Sequence, residues 1–206
     1  MSQVVDAIKT RRSIRKYLPR KVSKELIIEI LDAGGWAPSA HNAQPWRFIV
    51  LVDKAAKQDL AQAMANALIA VMPRDGVSAE LCEAKAKVSV ERFTQAPVLI
   101  VACLTMKDMR EYEDEPRQKC EHDLAVQSLG AAIQNMLLAA HTKGLGACWF
   151  CAPIFCKDAV KEALHISGDI EPQALIALGY AGERPSTPPR KPLQSYANLS
   201  GWGKKL

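Results

Sequence analysis

The sequence lacks a long uncharged apolar run. Its most apolar stretch, residues 97–105, is only as long as a β-strand, whereas a membrane-spanning helix needs about 20 apolar residues. Residues 1–10 include Asp6 and Lys9 and do not contain the continuous apolar core of a secretion signal. We therefore expect a cytoplasmic protein that does not enter a membrane.

The chain also lacks internal repeats and any linker-like break in composition. With 206 residues, 49% of them hydrophobic, it is long enough to bury a sizeable core as one domain over residues 1–206. Its 6 cysteines would be an even number for a disulfide scaffold, but such scaffolds are typical of short secreted chains. We therefore expect one domain with free thiols.

Positive charge is concentrated near the N-terminus. The basic residues there are Lys9, Arg11, Arg12, Arg15, Lys16, Arg20, Lys21 and Lys24, and only Asp6 and Glu25 oppose them. Arms that bind nucleic acid are usually of low complexity and lack apolar periodicity, whereas this segment is flanked by two predicted helices. The pattern therefore favours a compact anionic ligand over nucleic acid.

The order of apolar patterns predicts an α+β layer fold. Helices are predicted around residues 4–8, after the cap Ser23 up to Gly35, after the cap Asp53 toward Met72, and over 79–93, 124–143 and 157–164. Core strands are predicted over 47–52, 97–104 and 173–180, with a strand-like stretch at 145–151 and a turn at 73–76. The charged residues 107–123, which include Pro116, are predicted to form a surface excursion with helical pieces, and the proline-rich residues 183–206 an extended tail.

Two segments could form a binding site. Residues 11–15 place guanidinium groups and the hydroxyl of Ser13 just after a helix, where they could surround a phosphate. Taken alone, they fit a solvated basic surface at a helix end equally well. Residues 36–46 offer amides, hydroxyls and small side chains that could contact the rim and face of a flat heterocycle. A plain connecting loop is the alternative, but Asn42, Gln44 and Trp46 are costly choices for a simple turn.

These two segments resemble the N-terminal signature of the nitroreductase family of flavoproteins. The sequence reads RRSIR at residues 11–15 and APSAHNAQPWRF at 37–48, and the likeness continues at 137–149 and 189–193. The resemblance implies a nitroreductase-like fold with a central mixed, largely antiparallel sheet flanked by helices. It also implies an extended C-terminal tail and an intertwined homodimer with two FMN sites at the subunit interface.

The resemblance also implies roles for particular residues. Arg11, Ser13 and Arg15 match residues that hold the flavin phosphate and the N1 and C2 carbonyl edge, with Arg12 in the same cluster, and Arg190 and Lys191 would close the phosphate site. Pro38, Ser39, Ala40, Asn42 and Gln44 match a loop that reaches the flavin from the partner chain, while Trp149, Phe150 and Cys151 fall where the backbone meets flavin N5. The family also has amide and lysine contacts from the central helices, and their counterparts in this sequence stay open.

The activity implied is a ping-pong exchange in which NADH or NADPH delivers hydride to FMN N5 and a small-molecule acceptor, such as a nitroaromatic or a quinone, is then reduced. A cation such as Arg15 would stabilise the negative charge that a reduced flavin carries at N1 and the C2 carbonyl. Because the cofactor supplies the redox chemistry, we expect neither a catalytic side chain nor a metal. His41, in the flavin loop, could contact a substrate.

The stretch around Cys148-x-x-Cys151, with Cys156 after it, leaves alternatives open. The spacing could indicate a redox dithiol or part of a metal site, but packing against the flavin is preferred because both cysteines lie in a strand-like stretch and no second ligand pair is evident. Residues 151–156 make the segment similar to the flavin reductase domain associated with coenzyme F420 biosynthesis. A deazaflavin-related biosynthetic reductase is therefore one alternative function, and a non-catalytic flavin-binding protein is another. Residues 107–123 are the candidate for a substrate-limiting lid.

Overall fold

The computed structural model describes residues 3–71, 76 and 78–205. The turn predicted at 73–76 lies outside the described residues except for Gly76, as does Met72 at the end of the third predicted helix. Among the described residues, no helix is both long and apolar enough to cross a membrane.

The chain forms an α+β domain, as predicted. The helices are α1 (Gln3–Thr10), α2 (Lys24–Gly35), α3 (Lys54–Val71), α4 (Ala79–Gln95), α5 (Glu115–Thr142) and α6 (Lys157–Leu164). The strands are β1 (Trp46–Leu51), β2 (Val98–Thr105), β3 (Gly146–Phe150) and β4 (Ile170–Gly179). Two predicted caps are confirmed, because Ser23 accepts a hydrogen bond from Leu26 N–H and Asp53 accepts one from Ala56 N–H at 3.0 Å.

The four strands form one sheet in the order β1-β2-β4-β3, and each neighbouring pair is antiparallel. Strand β2 is buried along its whole length because helices cover both of its faces. Ile100 and Leu104 pack with α2 and α5, while Leu99 and Val101 pack with α3, α4 and α6. The register between β2 and β4 shifts at Pro172, which has no N–H to donate to the ladder.

Helix α5 begins earlier than the apolar pattern predicts. Asp114 caps it by accepting the N–H of Arg117, and Pro116 lies in the first turn, where a missing N–H costs no helical hydrogen bond. The helical part predicted within residues 107–123 is therefore the start of α5, over residues 115–123. Only residues 106–114 form an irregular connection between β2 and α5.

A charged cluster joins α5, α6 and β4. Glu171 accepts from His122 Nε2 at 3.0 Å and from Gln173 Nε2 at 2.6 Å, and it pairs with Lys157. Burial opposes the ionisation of Glu171, but the hydrogen bonds from Lys157 and His122 outweigh it, so the pKa of this carboxyl group is lowered. Folding therefore favours its charged form.

We expect Glu171→Gln to destabilise the fold by about 1–3 kcal/mol at neutral pH, because it removes the negative charge and one of the two oxygens that accept from three side chains. A lowered pKa in the folded state gives stability that is present above the unfolded pKa and lost as the pH falls through the folded one. The difference between wild type and variant should therefore shrink below a pH of about 4. Urea unfolding at pH 7 and at a pH of about 3 measures this, with the exposed Glu162→Gln on α6 as control. A Glu171 variant whose deficit is the same at both pH values would contradict the prediction.

Candidate functional site

Residues 11–18 lie along β3 and the end of β4. Ile14 N–H donates to the Ala147 carbonyl at 3.0 Å, and Ser13 forms a parallel bridge with Ala147. Ile14 is buried, and a Cβ added at Gly146 would lie 2.7 Å from its side chain. Glycine at this position therefore allows the basic segment to approach the sheet closely.

Polar side chains converge on the buried thiol of Cys148 in β3. Burial raises the pKa of Cys148, while the charges of Arg15, Arg92 and Arg11 and a hydrogen bond from Ser13 act to lower it. The charges of the basic segment and of Arg92 in α4 therefore act on this end of β3. Three of the four, Arg11, Ser13 and Arg15, are residues that the sequence predicts as phosphate and flavin contacts, and Arg92 of α4 was missed.

Glu183 fixes the backbone of this segment. Its Oε1 accepts the N–H of Arg15 at 2.6 Å and that of Lys16 at 3.1 Å. Lys16 O in turn accepts the Gly182 N–H at 2.8 Å. The carboxylate therefore ties the basic segment to the start of the tail. The sequence did not indicate a role for Glu183, because a single glutamate after a strand is not part of a recognisable motif.

Arg12 differs from its neighbours. Its guanidinium donates to the carbonyl groups of Lys9 and Arg11, each at 2.8 Å, and to the hydroxyl of Thr187 in the tail. In the described part of the chain, Arg11 makes no side-chain hydrogen bond, and Arg15 makes only a long one of 3.4 Å to the Ser13 carbonyl. Arg11 and Arg15 can therefore still donate to a ligand, while Arg12 holds the tail.

His141 at the end of α5 lies beside the same segment. Its Nε2 is 2.8 Å from the hydroxyl of Thr10. Burial and the charges of Arg11 and Arg12 lower the pKa of His141, so that the neutral ring is favoured at physiological pH. The region around Arg11 and Arg12 is therefore electropositive and suits an anionic ligand.

The second predicted segment, the loop before β1, has a strained backbone. His41, Asn42 and Gln44 have φ values of 56°, 52° and 48°, which lie in the left-handed region that non-glycine residues rarely adopt. Ser39 supports the loop by accepting the N–H of Gln44 at 3.1 Å, and Ala40 N–H donates to Ser128 Oγ of α5 at 3.2 Å. Strain of this kind persists where the surrounding structure imposes it, and it is common at functional sites.

The segment after Cys148 is partly open to solvent. Trp149 is 38% exposed and Cys151 is exposed, while Phe150 packs edge-on against Phe93 with ring centroids 5.2 Å apart. Cys148 and Cys151 therefore differ in accessibility, and the raised pKa of Cys148 is the opposite of what a thiol-exchange nucleophile needs. The structure has all 6 cysteines as free thiols, and its described residues contain no group of three or more His, Cys, Asp or Glu side chains suited to a metal.

The predicted tail contacts are exposed. Arg190 and Lys191 lie in the extended segment after β4, beyond the point where Thr187 meets Arg12. Nearly all of this segment is exposed, including the large apolar side chains of Tyr196, Leu199 and Trp202. The tail therefore reaches the basic segment but has little core of its own.

Within one chain, the two predicted halves of the site are held at different places on α5. The loop meets α5 at Glu121 and Ser128, and Thr10 meets it at His141, so the anchors are separated by about 20–30 Å along a helix that rises 1.5 Å per residue. In the described part of the chain, no hydrogen bond or ion pair joins Pro38, Ser39, Ala40, Asn42 or Gln44 to Arg11, Ser13 or Arg15. Within the described residues of one chain, the two halves are therefore not joined by polar contacts.

Comparison with known proteins gives a consistent picture. Residues 8–180 match the description "Nitroreductase family". A protein of Methanothermobacter thermautotrophicus named "Putative NADH dehydrogenase/NAD(P)H nitroreductase" is 34% identical over 186 residues, which are 89% of this chain and 80% of that protein.

Two solved structures share the fold over nearly the whole chain. One, from Desulfovibrio desulfuricans, is described as "a putative nitroreductase in complex with FMN"; it is 30% identical, has a TM-score of 0.74, and the match covers 98% of this chain and 99% of that one. A BluB-like flavoprotein from Clostridium difficile 630 is 25% identical with a TM-score of 0.81, covering 98% of this chain and 100% of that one.

Proposed function

Since this chain belongs to the nitroreductase family, we propose that it is an FMN-dependent oxidoreductase that transfers electrons from NADH or NADPH to a small-molecule acceptor such as a nitroaromatic or a quinone. The observation that carries the proposal is the pairing of the basic segment with β3 through Ser13 and Ile14, which holds Arg11 and Arg15 beside this strand. The complex of the D. desulfuricans relative supplies the identity of the cofactor.

The residues present fit FMN. A phosphate needs several charge-assisted donors, and the guanidinium of Arg11, which makes no side-chain hydrogen bond in the described part of the chain, is available two residues before the hydroxyl of Ser13. Arg15 is exposed and lies nearer the open end of β3, where its charge would face the anionic edge of a flavin. When bound there, FMN would supply the redox chemistry, namely hydride acceptance from a nicotinamide and electron transfer to the acceptor.

The protein's own residues then have distinct tasks. Arg11 and Ser13 bind the phosphate, with Arg190 and Lys191 of the tail closing over it, and Arg15 favours negative charge on the cofactor. The backbone of Trp149, Phe150 and Cys151 faces the reacting edge. Arg12 anchors the tail through Thr187 instead of touching the phosphate. A substrate-limiting lid is proposed for residues 106–114 only, since the rest of the predicted excursion is helical.

We further propose that the working unit is a homodimer with exchanged tails. A dimer would let Pro38, Ser39, Ala40, Asn42 and Gln44 of one chain reach the cofactor held by the basic segment of the other. The separation of their anchors on α5 by about 20–30 Å supports this.

The surface of the domain offers a place for a partner's tail. Strand β1 is a sheet edge, and beside it lies a groove of about 900 Å³. Its floor is apolar, formed by Val22, Ile27, Ile28, Leu31, Val50 and Val52. A tail with exposed Tyr196, Leu199 and Trp202 would cover both this open strand edge and the exposed apolar groove. This match supports exchange of the tails.

The visible spectrum of the purified protein tests the cofactor. We expect an absorbance band near ~450 nm from bound FMN, and its rapid loss on anaerobic mixing with NADH or NADPH. Adding a quinone or nitroaromatic in a second mixing step should restore the band, and the steady-state rates should show parallel double-reciprocal lines. Bleaching only with a reduced deazaflavin would favour the biosynthetic alternative, and a bound flavin that no donor reduces would favour a binding protein. A colourless protein that fails to take up FMN would contradict the proposal.

A further inference from the structure

The basic segment passes from one strand to another at Arg15. On one side of Arg15, Ser13 bridges Ala147 of β3, and on the other side Tyr17 bridges Ala181, just after β4. Arg15 is thus two residues from each anchor, and it is exposed, with only the long side-chain bond to the Ser13 carbonyl. The direction of its side chain therefore depends on how the backbone between the two anchors is held.

One carboxylate oxygen holds this stretch of backbone. Oε1 of Glu183 accepts the N–H of Arg15 at 2.6 Å and that of Lys16 at 3.1 Å. In a regular strand successive N–H groups point to opposite sides, so a single oxygen reaches both only where the backbone turns. Glu183 is itself fixed, because it follows Gly182, whose N–H donates to the Lys16 carbonyl at 2.8 Å. The carboxylate therefore stabilises the turn at Arg15.

The peptide group before Arg15 is held at both ends. Its N–H is the one that Glu183 accepts, and its carbonyl, which belongs to Ile14, accepts from the hydroxyl of Tyr17 at 2.5 Å. Burial raises the pKa of Tyr17, so the hydroxyl keeps the proton that it donates. Since a peptide group is planar, hydrogen bonds at its two ends set its orientation and thus the direction in which the chain enters Arg15.

The carboxylate bonds to the backbone of Arg15 and not to its guanidinium. In the part of the chain that the structure describes, no ion pair within 4.0 Å joins Glu183 to Arg15, so the guanidinium can still donate to a ligand. By its charge alone, a carboxylate beside a site for an anion lowers the affinity for that anion. A favourable contribution of Glu183 to anion binding must therefore come from the geometry that it imposes.

We propose that Glu183 is a positioning residue that directs the guanidinium of Arg15 toward the anionic edge of the bound cofactor; the inference rests on the proposed function, which places FMN beside this segment. Glu183 acts through the peptide group before Arg15, together with the hydroxyl of Tyr17, and contacts neither the cofactor nor the acceptor. Positioning and electrostatics differ in sign here. Removing the negative charge should strengthen the binding of an anion through electrostatics but weaken it if the position of Arg15 is lost.

Fluorescence titration of the apoprotein with FMN tests this. Glu183→Ala should weaken FMN binding about three- to thirtyfold, because Arg15 is no longer held. Glu183→Gln, whose amide oxygen can still accept the two N–H groups, should bind within about threefold of wild type. The matched control is Asp6→Asn, which removes an exposed acid near the same segment and should not weaken FMN binding.

A shorter acid separates reach from charge. Glu183→Asp keeps the negative charge but withdraws the carboxylate by one methylene, so it should weaken FMN binding as Glu183→Ala does. It also serves as the test if Glu183→Ala does not fold. Amide hydrogen exchange of the apoprotein, which needs no flavin, should be faster at Arg15 and Lys16 in both variants than in wild type or Glu183→Gln.

A double-variant cycle shows whether Glu183 acts through Arg15. If it does, Glu183→Ala should weaken binding by less than about twofold in the Arg15→Ala background, since the side chain that it positions is gone. Three results would overturn the inference: FMN affinity in Glu183→Ala equal to or above that of wild type, an undiminished loss in the Arg15→Ala background, or a loss in Glu183→Gln as large as in Glu183→Ala. The proposed function fails separately, as a wild-type protein that does not take up FMN although its two amides are protected from exchange.

Discussion

Replacing Arg15 with alanine is expected to weaken FMN binding about 10- to 100-fold and to slow bleaching by NAD(P)H. The guanidinium is exposed, lies near Cys148 with Arg11 and Ser13, and has only a long bond to the Ser13 carbonyl. A charge-assisted hydrogen bond contributes about 1.5–3 kcal/mol, and each 1.4 kcal/mol is about tenfold in affinity. Fluorescence titration of apoprotein with FMN measures affinity, and anaerobic stopped-flow mixing measures the rate.

Lys16→Ala is the matched control for Arg15. It removes a neighbouring exposed charge of the same sign but leaves the backbone N–H that donates to Glu183. If the charges act only through general electrostatics, FMN binding should weaken to a similar extent in both variants. If Arg15 contacts FMN directly, binding should weaken only in Arg15→Ala. Unchanged affinity and an unchanged bleaching rate in Arg15→Ala would remove this residue from the cofactor site.

Truncation after Arg184 is expected to abolish both the dimer and flavin retention. The deleted segment carries Tyr196, Leu199 and Trp202, whose side chains are largely exposed in one chain. Burying an apolar side chain of this size contributes about 1.5–3 kcal/mol, so losing three should weaken dimerisation at least about 1,000-fold. Sedimentation velocity measures assembly, and the flavin-to-protein absorbance ratio measures retention.

The double variant Arg190→Ala and Lys191→Ala is the control for the truncation. It removes the cations proposed to close over the phosphate but keeps the apolar part of the tail. It should stay dimeric and bind FMN weakly, which separates the two roles of the tail. A truncated protein that folds, sediments as a dimer and retains FMN would rule out tail exchange.

Much of the fold can be predicted from the sequence because apolar periodicity reports burial directly. Helix α6 was predicted at its observed residues, and β1, β2 and β4 within a few residues of theirs. The start of α5 was missed because residues 115–123 are charged and exposed on most sides, so they show no apolar stripe. The side-chain capping by Asp114 and the position of Pro116 in the first turn were the available signals.

The site was predictable where a motif spans neighbouring residues. Arg11, Ser13 and Arg15 are close in sequence, and the structure brings them together at one strand. The contacts of Glu183, Arg92 and Glu121 depend on how distant elements pack, and a lone acid or base on a helix gives no local sign of its partner. The contacts of Arg12 could not be predicted from the sequence either, because they depend on the course of the tail past Thr187.

The continuity of α5 limits how the length of this chain can change. Its 28 residues run without a break from the contacts under His41 to the contact with Thr10. One inserted residue between Ser128 and His141 would turn everything after it by about 100° and move it by 1.5 Å. The contacts at the two ends of α5 could then no longer form at the same time. Insertions and deletions should therefore be tolerated in the connection at 106–114, which ends before the helix begins, and rejected within α5.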